Sequence, residues 1–339
     1  MKSKNLRAWR AVPAVLLFFA ACARQEEKPP VKAEKKLNVV TTVAPITSIV
    51  ENVAGDKIQL KGIIPEGINS HTFEPVPSDV KMLAAADLLI VNGLDLEIPT
   101  LQLARANMKQ GAAPLLLLGD KTITEKEYIY DFSFPKDHGH PNPHLWLNPQ
   151  HVMRYAALVR DELIRLDPRN KATYEANTAT YLKKLEVLDQ AIQESIKTIP
   201  VGNRRLLTYH DSWPYFARRY GFQIIGAVQP SDFSDPSPRE IKRLIDQIRK
   251  EKVPAIFGSE VFPSPVLEQI AREGKTRYID KLSDDELPGK PGDSHHSYIG
   301  LMVENMNIMV EALGGSTEAL KTIDPAPVAG AQADYRRRD

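Results

Sequence analysis

One long helical stretch near the middle of the chain limits what the sequence can fold into. From 170 to 199, apolar residues recur at intervals of three and four, which is the period of one helix face. These residues are Tyr181, Leu185, Leu188, Ile192 and Ile196. A helix of about 27 residues spans roughly 40 Å, which is more than a small lobe requires. We therefore predict that this helix is a backbone that joins two lobes.

Short apolar strands alternate with helices on both sides of the long helix. The predicted strands are 37–42, 58–64, 88–91 and 114–118 before it, and 205–208, 222–228, 255–257 and 277–280 after it. Continuous apolar strands separated by helices are typical of parallel sheets covered on both faces. The predicted fold is therefore α/β, with an N-terminal lobe, the linking helix, a C-terminal lobe and a disordered tail. Their bounds are 37–169, 170–199, 200–315 and 316–339.

The first 36 residues are typical of an export signal followed by a tether. A positively charged head precedes an apolar run, 11–21, that is too short to cross a bilayer as a helix. The small residues before Cys22 resemble a bacterial lipoprotein cleavage site, so we predict a signal peptide at 1–21 and a lipid on Cys22. Phe19 is less usual there and leaves ordinary signal cleavage as the alternative. The charged, proline-containing residues 22–36 predict a solvated tether, and the protein is expected outside the cytoplasm, anchored to a bacterial membrane.

Charge and cysteine content exclude several classes of partner and site. The net charge is +1, so no large basic field favours nucleic acid. Cys22 is the only cysteine, so the folded part has no thiol. A metal site there must be built from nitrogen and oxygen, which excludes the cysteine-rich structural zinc modules.

Four candidate metal ligands lie at predicted strand ends or on a stiff loop. His71 and His210 come just after predicted strands and Asp280 closes one, and ligands bind at this edge of α/β sheets. His144 lies in a loop that neighbouring prolines stiffen, before a helix that Asn148-Pro149 begins. Three imidazoles and one carboxylate would suit four-coordinate Zn²⁺. On spacing alone, histidines without a ligand remain the alternative.

Eight motifs resemble a known family in their order and spacing. They are Thr42–Pro45, Pro65–Pro75, Ser78-Asp79, Asn92–Leu94, Asn142–Pro149, His210–Phe216, Asp235–Arg239 and Tyr298–Asn305. From about 37 to 315 the chain resembles the zinc/manganese-binding receptors of bacterial ABC importers, the cluster 9 solute-binding proteins. The resemblance implies two α/β lobes with the metal in the cleft between them and an ABC permease as partner. We also expect a monomer, and no enzymatic activity, because four side chains would fill the metal's coordination positions. The ligands that the resemblance implies are His71, His144, His210 and Asp280.

The remaining histidines and two acidic residues are given other roles. The long histidine-rich loop of many zinc receptors is reduced here to His138 and His140, for which a solvated loop is favoured over capture of incoming metal. His295 and His296 are expected at the surface, and His151 at the surface or in packing. Structural or supporting roles suit two further residues better than metal ligation. These are Glu74 and Glu260.

The donor set favours zinc as the transported ion. Manganese receptors of the family often have a carboxylate where His210 stands, and a third imidazole suits Zn²⁺ better than Mn²⁺. Because only neutral histidines bind metal, affinity is expected to fall below about pH 6. A manganese-uptake receptor is the first alternative. A zinc hydrolase is the second, with Glu74 as base if Asp280 were not a ligand; a surface adhesin role is neither supported nor excluded by the residues.

Overall fold

The structure is a computed structural model that describes residues 35–108, 114–229, 234, 236–259, 265–330 and 333–336. The predicted signal peptide, the predicted lipid site at Cys22, most of the tether and Glu260 lie outside these residues. No helix in the described part of the chain is long and apolar enough to cross a membrane.

The N-terminal lobe is built on a parallel sheet of four apolar strands. The strands are β1 (Leu37–Thr41), β2 (Ile58–Gly62), β3 (Leu88–Val91) and β4 (Leu115–Leu117). Their order is β2-β1-β3-β4, and β3 is buried along its whole length, as expected for a strand covered on both faces. The helices of this half are α1 (Ala44–Ala54), α2 (Pro77–Ala85), α3 (Ile98–Asn107), α4 (Leu118–Thr122) and α5 (Pro149–Leu166).

The long helix α6 (Lys171–Thr198) has 28 residues and therefore spans roughly 42 Å. The apolar face predicted from the sequence is buried in full. Its side chains belong to one continuous core that also contains residues of both sheets. The helix is thus packed into both halves of the molecule along one face.

The C-terminal lobe repeats the arrangement of the first. Its strands are β5 (Arg205–Thr208), β6 (Gln223–Ala227), β7 (Ala255–Ser259) and β8 (Arg277–Leu282), in the parallel order β6-β5-β7-β8. Its helices are α7 (Pro214–Tyr220), α8 (Pro238–Glu251), α9 (Pro265–Gly274) and α10 (Tyr298–Ala312). Helix α8 begins at the predicted capping box, in which Ser237 and Glu240 bond to each other's backbone N–H groups. The predicted two-lobed α/β fold is confirmed.

The strand register sets where the connecting loops emerge. In the first sheet Thr41, at the end of β1, lies opposite Gly62 of β2 and Ile90 of β3. The carboxyl ends of these strands therefore meet at one edge. Because the chain turns to opposite sides of β1 to form β2 and β3, this edge has the crevice in which α/β folds bind ligands.

The end of the chain departs from the sequence prediction. Residues 316–339 are predicted to be disordered, but their described part packs against the folded chain. Leu320 and Tyr335 are buried, and Asp334 pairs with Lys61 at the free edge of β2. Few side chains of this segment are apolar, but the free edge of β2 offers unpaired backbone N–H and C=O groups. The segment therefore makes hydrogen bonds to the sheet that a disordered tail would make to water.

Candidate metal centre

Three of the four predicted ligands converge on one point. The Nε2 atom of His71 lies 3.2 Å from that of His144 and 3.1 Å from that of His210, and the last two are 3.1 Å apart. Nitrogens bound to a tetrahedral Zn²⁺ at about 2.0–2.1 Å would be separated by roughly 3.3 Å. Three nitrogen atoms at the corners of such a triangle are arranged to share one ion.

The orientation of His144 is fixed by a buried amide. Its ring Nδ1 and its backbone N–H both contact Oδ1 of Asn142, at 2.9 and 3.0 Å. Nδ2 of Asn142 in turn donates to the carboxylate of Asp131, at 2.8 Å, and to the backbone carbonyl of Asp211. An amide oxygen only accepts, so the proton of the neutral imidazole is on Nδ1 and the lone pair of Nε2 is available to a metal.

Amide side chains also contact the other two histidines. Oε1 of Gln229 lies 2.8 Å from Nδ1 of His210 and selects the same tautomer as in His144. His71 is held through its backbone N–H, which donates to Oδ1 of Asn69 at 2.9 Å. Asn69 lies two residues before His71, so an amide side chain closes this turn.

Aromatic rings shield the three imidazoles from water. The Phe134 ring centroid lies 5.4 Å from that of His71, 5.8 Å from His144 and 6.2 Å from His210. The Trp146 ring lies 5.0 Å from His144 and is buried. Nothing in the spacing of the sequence singles out Phe134, because its loop meets the histidines only in the folded chain.

This shielding changes the protonation of the histidines. Removal from water lowers the pKa of His210 to about 4. It lowers the pKa of His71 and His144 well below the ordinary value, and the charge that neighbouring imidazoles would carry lowers both further. All three side chains are therefore neutral at pH 7, in the form that binds a cation.

The structure does not place Asp280 with the three histidines. Asp280 is exposed on β8, beside a bulge at which Phe257 and Ser259 of β7 pair with Ile279 and Leu282. Among the described residues, the metal-binding side chains that converge are the three histidines. The predicted strand ends at Asp280, but the observed strand continues to Leu282, so the loop beyond it starts later than expected.

That loop brings a different carboxylate to the site. Oδ2 of Asp284 lies 3.9 Å from Nε2 of His144, and the residue is 5% exposed. The backbone carbonyl of Asp284 accepts a hydrogen bond of 2.8 Å from the indole of Trp146. The next residue, Asp285, accepts from the backbone N–H of Ser70, beside His71. Two adjacent acids after β8, Asp284 and Asp285, could have been recognised as candidate ligands in the sequence. They were not, because the strand was predicted to end at Asp280.

A pair of carboxyl groups lies behind the site. Burial raises the pKa of Asp131, and repulsion from Asp211 raises it further. Burial also raises the pKa of Asp211, whose Oδ2 accepts a hydrogen bond from the backbone of Phe132. The two groups therefore retain a proton between them at neutral pH, which allows them to be buried together without two uncompensated charges.

The other residues considered from the sequence lie outside the converging group. His138 and His140 are exposed, and Nδ1 of His140 contacts the carboxylate of Asp95 at 2.8 Å. His151 packs its ring against Tyr215, as predicted. His295 and Glu74 are exposed, whereas His296 is buried, so the surface prediction for His296 is wrong.

Comparison with known proteins gives a consistent result. The family model ZnuA, described as zinc-uptake complex component A periplasmic, matches residues 39–312. The chain is 30% identical over 316 residues to the metal ABC transporter substrate-binding lipoprotein FimA of Streptococcus parasanguinis, covering 91% of this chain and 99% of that protein. It has the same identity and coverage to the manganese ABC transporter substrate-binding lipoprotein PsaA of Streptococcus pneumoniae.

Solved structures agree with the sequence matches. The periplasmic zinc-binding protein TroA of Treponema pallidum superposes with a TM-score of 0.74 at 27% identity, covering 82% of this chain and 99% of that one. A manganese-bound periplasmic metal-binding protein of Candidatus Liberibacter asiaticus gives 0.72 at 25% identity, covering 83% and 100%. The chain belongs to this ZnuA family, the cluster 9 metal-binding receptors of ABC importers, and is a solute-binding protein rather than an enzyme.

Proposed function

We propose that this protein captures Zn²⁺ outside the cytoplasm and delivers it to an ABC permease. The observation that carries the proposal is the triangle of three Nε2 atoms, within 3.2 Å of one another, on imidazoles that are neutral at pH 7. Three nitrogen donors favour Zn²⁺ over the harder Mn²⁺. The ligands proposed are His71, His144 and His210.

We propose Asp284 as the fourth ligand, in place of Asp280. Its carboxylate is buried beside the triangle, with Oδ2 3.9 Å from Nε2 of His144. A carboxylate of this kind would complete a tetrahedron and leave no position for the activated water of a catalytic zinc. Glu74, the base considered for a hydrolase, is exposed, which gives that alternative no support.

Manganese is the second candidate, because relatives of this chain carry that metal in their names. PsaA of Streptococcus pneumoniae and ScaA of Streptococcus gordonii are both named as manganese lipoproteins. Affinity rank alone does not separate the metals, since nearly all nitrogen and oxygen sites bind Zn²⁺ more tightly than Mn²⁺. Transport of each ion has to be measured.

A titration with matched variants tests the site. The purified protein is stripped of metal and titrated with Zn²⁺ and Mn²⁺ in competition with a chelating dye. We expect the wild type to bind one Zn²⁺ tightly. His210→Ala and Asp284→Ala should each lose more zinc affinity than the roughly 10- to 100-fold that removal of an outer partner costs. Asp280→Ala is the matched control and should bind as the wild type does. Equal affinity of Asp284→Ala and wild type would remove Asp284 from the site.

Uptake by cells tests the metal and the partner. Cells that lack the gene are complemented with wild type or His210→Ala, and uptake of radioactive zinc and manganese is compared. Restoration of zinc uptake by the wild type alone supports the proposal, whereas restoration of manganese uptake alone supports the second candidate.

The remaining proposals concern anchoring and assembly. We propose that Cys22 carries a lipid that attaches the receptor to the bacterial membrane, as the lipoprotein names of the relatives support, and that the receptor is a monomer. A Cys22→Ser variant should leave the membrane fraction. Light scattering of the released protein should give the mass of one chain.

A further inference from the structure

The last described residues form an ordered segment that lies outside the part matched by the family model. The match ends at residue 312, whereas residues 323–330 and 333–336, called here the C-terminal strap, pack along the N-terminal half of the chain. Nζ of Lys184 on α6 donates to the carboxylate of Asp324, and the backbone N–H of Val328 donates to Asn52 on α1. These contacts direct the strap from α6 across α1.

The strap then joins the free edge of the first sheet. The N–H of Asp334 donates to the carbonyl of Leu60 at 2.9 Å, and the N–H of Gly62 donates to the carbonyl of Asp334 at 3.1 Å. The pairing is parallel, so the strap runs beside β2 toward its carboxyl end. That is the end from which the loop carrying His71 departs.

Arg336 binds both ends of the loop that carries His71. Its backbone carbonyl accepts the N–H of Glu66 at 3.0 Å, and its Nη1 donates to the carbonyl of Ile63 at 3.0 Å, both at the start of the loop. The same Nη1 donates to the carboxylate of Asp79, which also accepts the backbone N–H of Val76 at the start of α2. One side chain thus joins the two ends of the segment 63–76.

Tyr335 and Glu66 extend the contact to the loop that carries Asp284. The Tyr335 hydroxyl donates to the carboxylate of the buried Glu51 at 2.9 Å, and its ring meets that of His296 edge-on at 4.6 Å. Oε1 of Glu66 accepts the backbone N–H of Leu287, three residues after Asp284, at 3.2 Å. Tyr335 therefore packs against one end of the 284–296 loop, while Glu66, whose backbone the strap holds, bonds to the other.

We propose that Arg336 and Tyr335 are positioning residues for the metal centre, through which the strap fixes the His71 loop and the Asp284 loop relative to each other. This inference rests on the proposed function in taking Zn²⁺ as the ligand, whereas the positioning of the two loops rests on the contacts described above. Loss of an outer partner that orients metal ligands costs roughly 10- to 100-fold in metal affinity. Arg336 acts through the loop and does not touch a ligand, so we expect a smaller loss, up to about 10-fold, for Arg336→Ala, seen mainly as faster release.

The test measures release of Zn²⁺ to an excess of chelator and, separately, amide hydrogen exchange at residues 63–76 in the metal-free protein. Arg336→Ala and Tyr335→Leu should each accelerate both. Arg336→Lys keeps a positive charge beside the buried Asp79 and replaces the alanine variant if that one does not fold. It should also accelerate zinc release and exchange at 63–76, but less. Leu320→Ala is the control, since Leu320 is buried against the core before the strap begins; it should lower the melting temperature without changing release.

Two results would overturn the proposal. One is wild-type release and wild-type exchange at 63–76 in the Arg336 and Tyr335 variants. The other is equal acceleration in the Leu320 control, which would assign the effect to general loss of stability. If the wild type binds no metal, the proposed function fails, while hydrogen exchange at 63–76 still decides whether the strap positions the loop.

Discussion

Replacement of Asn142 by Ala should weaken metal binding more than it weakens the fold. Asn142 is fully buried, and its amide oxygen contacts both the backbone N–H and the ring Nδ1 of His144. Without it the imidazole is free to rotate or to place its proton on Nε2, where a proton blocks the metal. The loss of such an outer partner costs roughly 10- to 100-fold in affinity, or about 1.4–2.7 kcal/mol.

The same substitution also has a cost in stability. It leaves the buried N–H and Nδ1–H groups of His144, and the acceptors on Asp131 and Asp211, without the amide. One buried polar group left unsatisfied costs about 1–3 kcal/mol, and water entering the space recovers part of that. We therefore expect Asn142→Ala to unfold at a lower denaturant concentration while remaining folded in water.

Two measurements on the same protein separate these effects. Zinc affinity is measured by chelator competition, and the free energy of unfolding by urea titration of the metal-free chain. The control is Tyr220→Phe, which removes a buried hydroxyl that donates to Asp189 at 2.5 Å on α6. It should lose stability but keep its affinity. Asn142→Ala with a zinc affinity within about twofold of the wild type would refute the argument that this amide sets the tautomer of His144.

Burial lowers the pKa of His210 to about 4, so protons should compete with zinc only as the pH falls toward 4–5. An ordinary imidazole would lose zinc from about pH 6. Zinc titrations between pH 4 and 8 in which the affinity falls steeply from about pH 6.5 would contradict this. Phe134→Ala should expose the imidazoles to water and accelerate zinc release in stopped-flow measurements, and unchanged release would show that Phe134 does not shield the bound ion. Burial raises the folded pKa of Asp131 above its unfolded value, so this carboxyl lowers stability progressively as the pH rises from 4. Asp131→Asn should therefore raise the melting temperature at pH 8 more than at pH 4, and an equal or opposite shift would contradict the shared proton.

The sequence by itself determined the architecture, because the architecture depends on local periodicity. Strands with apolar residues in succession, such as β3, have one stable environment, a sheet covered on both faces. The spacing of Tyr181 through Ile196 required one long amphipathic helix, and its apolar face is buried as that spacing predicts. The stiff loop before Pro149 likewise presented His144 as a candidate without any knowledge of its neighbours.

Tertiary structure alone decided which residues meet. A bulge and two additional strand residues leave Asp280 exposed and bring Asp284 to 3.9 Å from His144, a difference that no local pattern encodes. Phe134 covers the imidazoles from a loop far from His210 in sequence. The strap was predicted to be disordered because few of its residues are apolar, yet Tyr335 is buried through partners almost three hundred residues earlier, such as Glu51. Contacts between residues this far apart in sequence depend on how whole helices and strands pack. The local sequence pattern of one segment does not determine which surface of another segment it will contact.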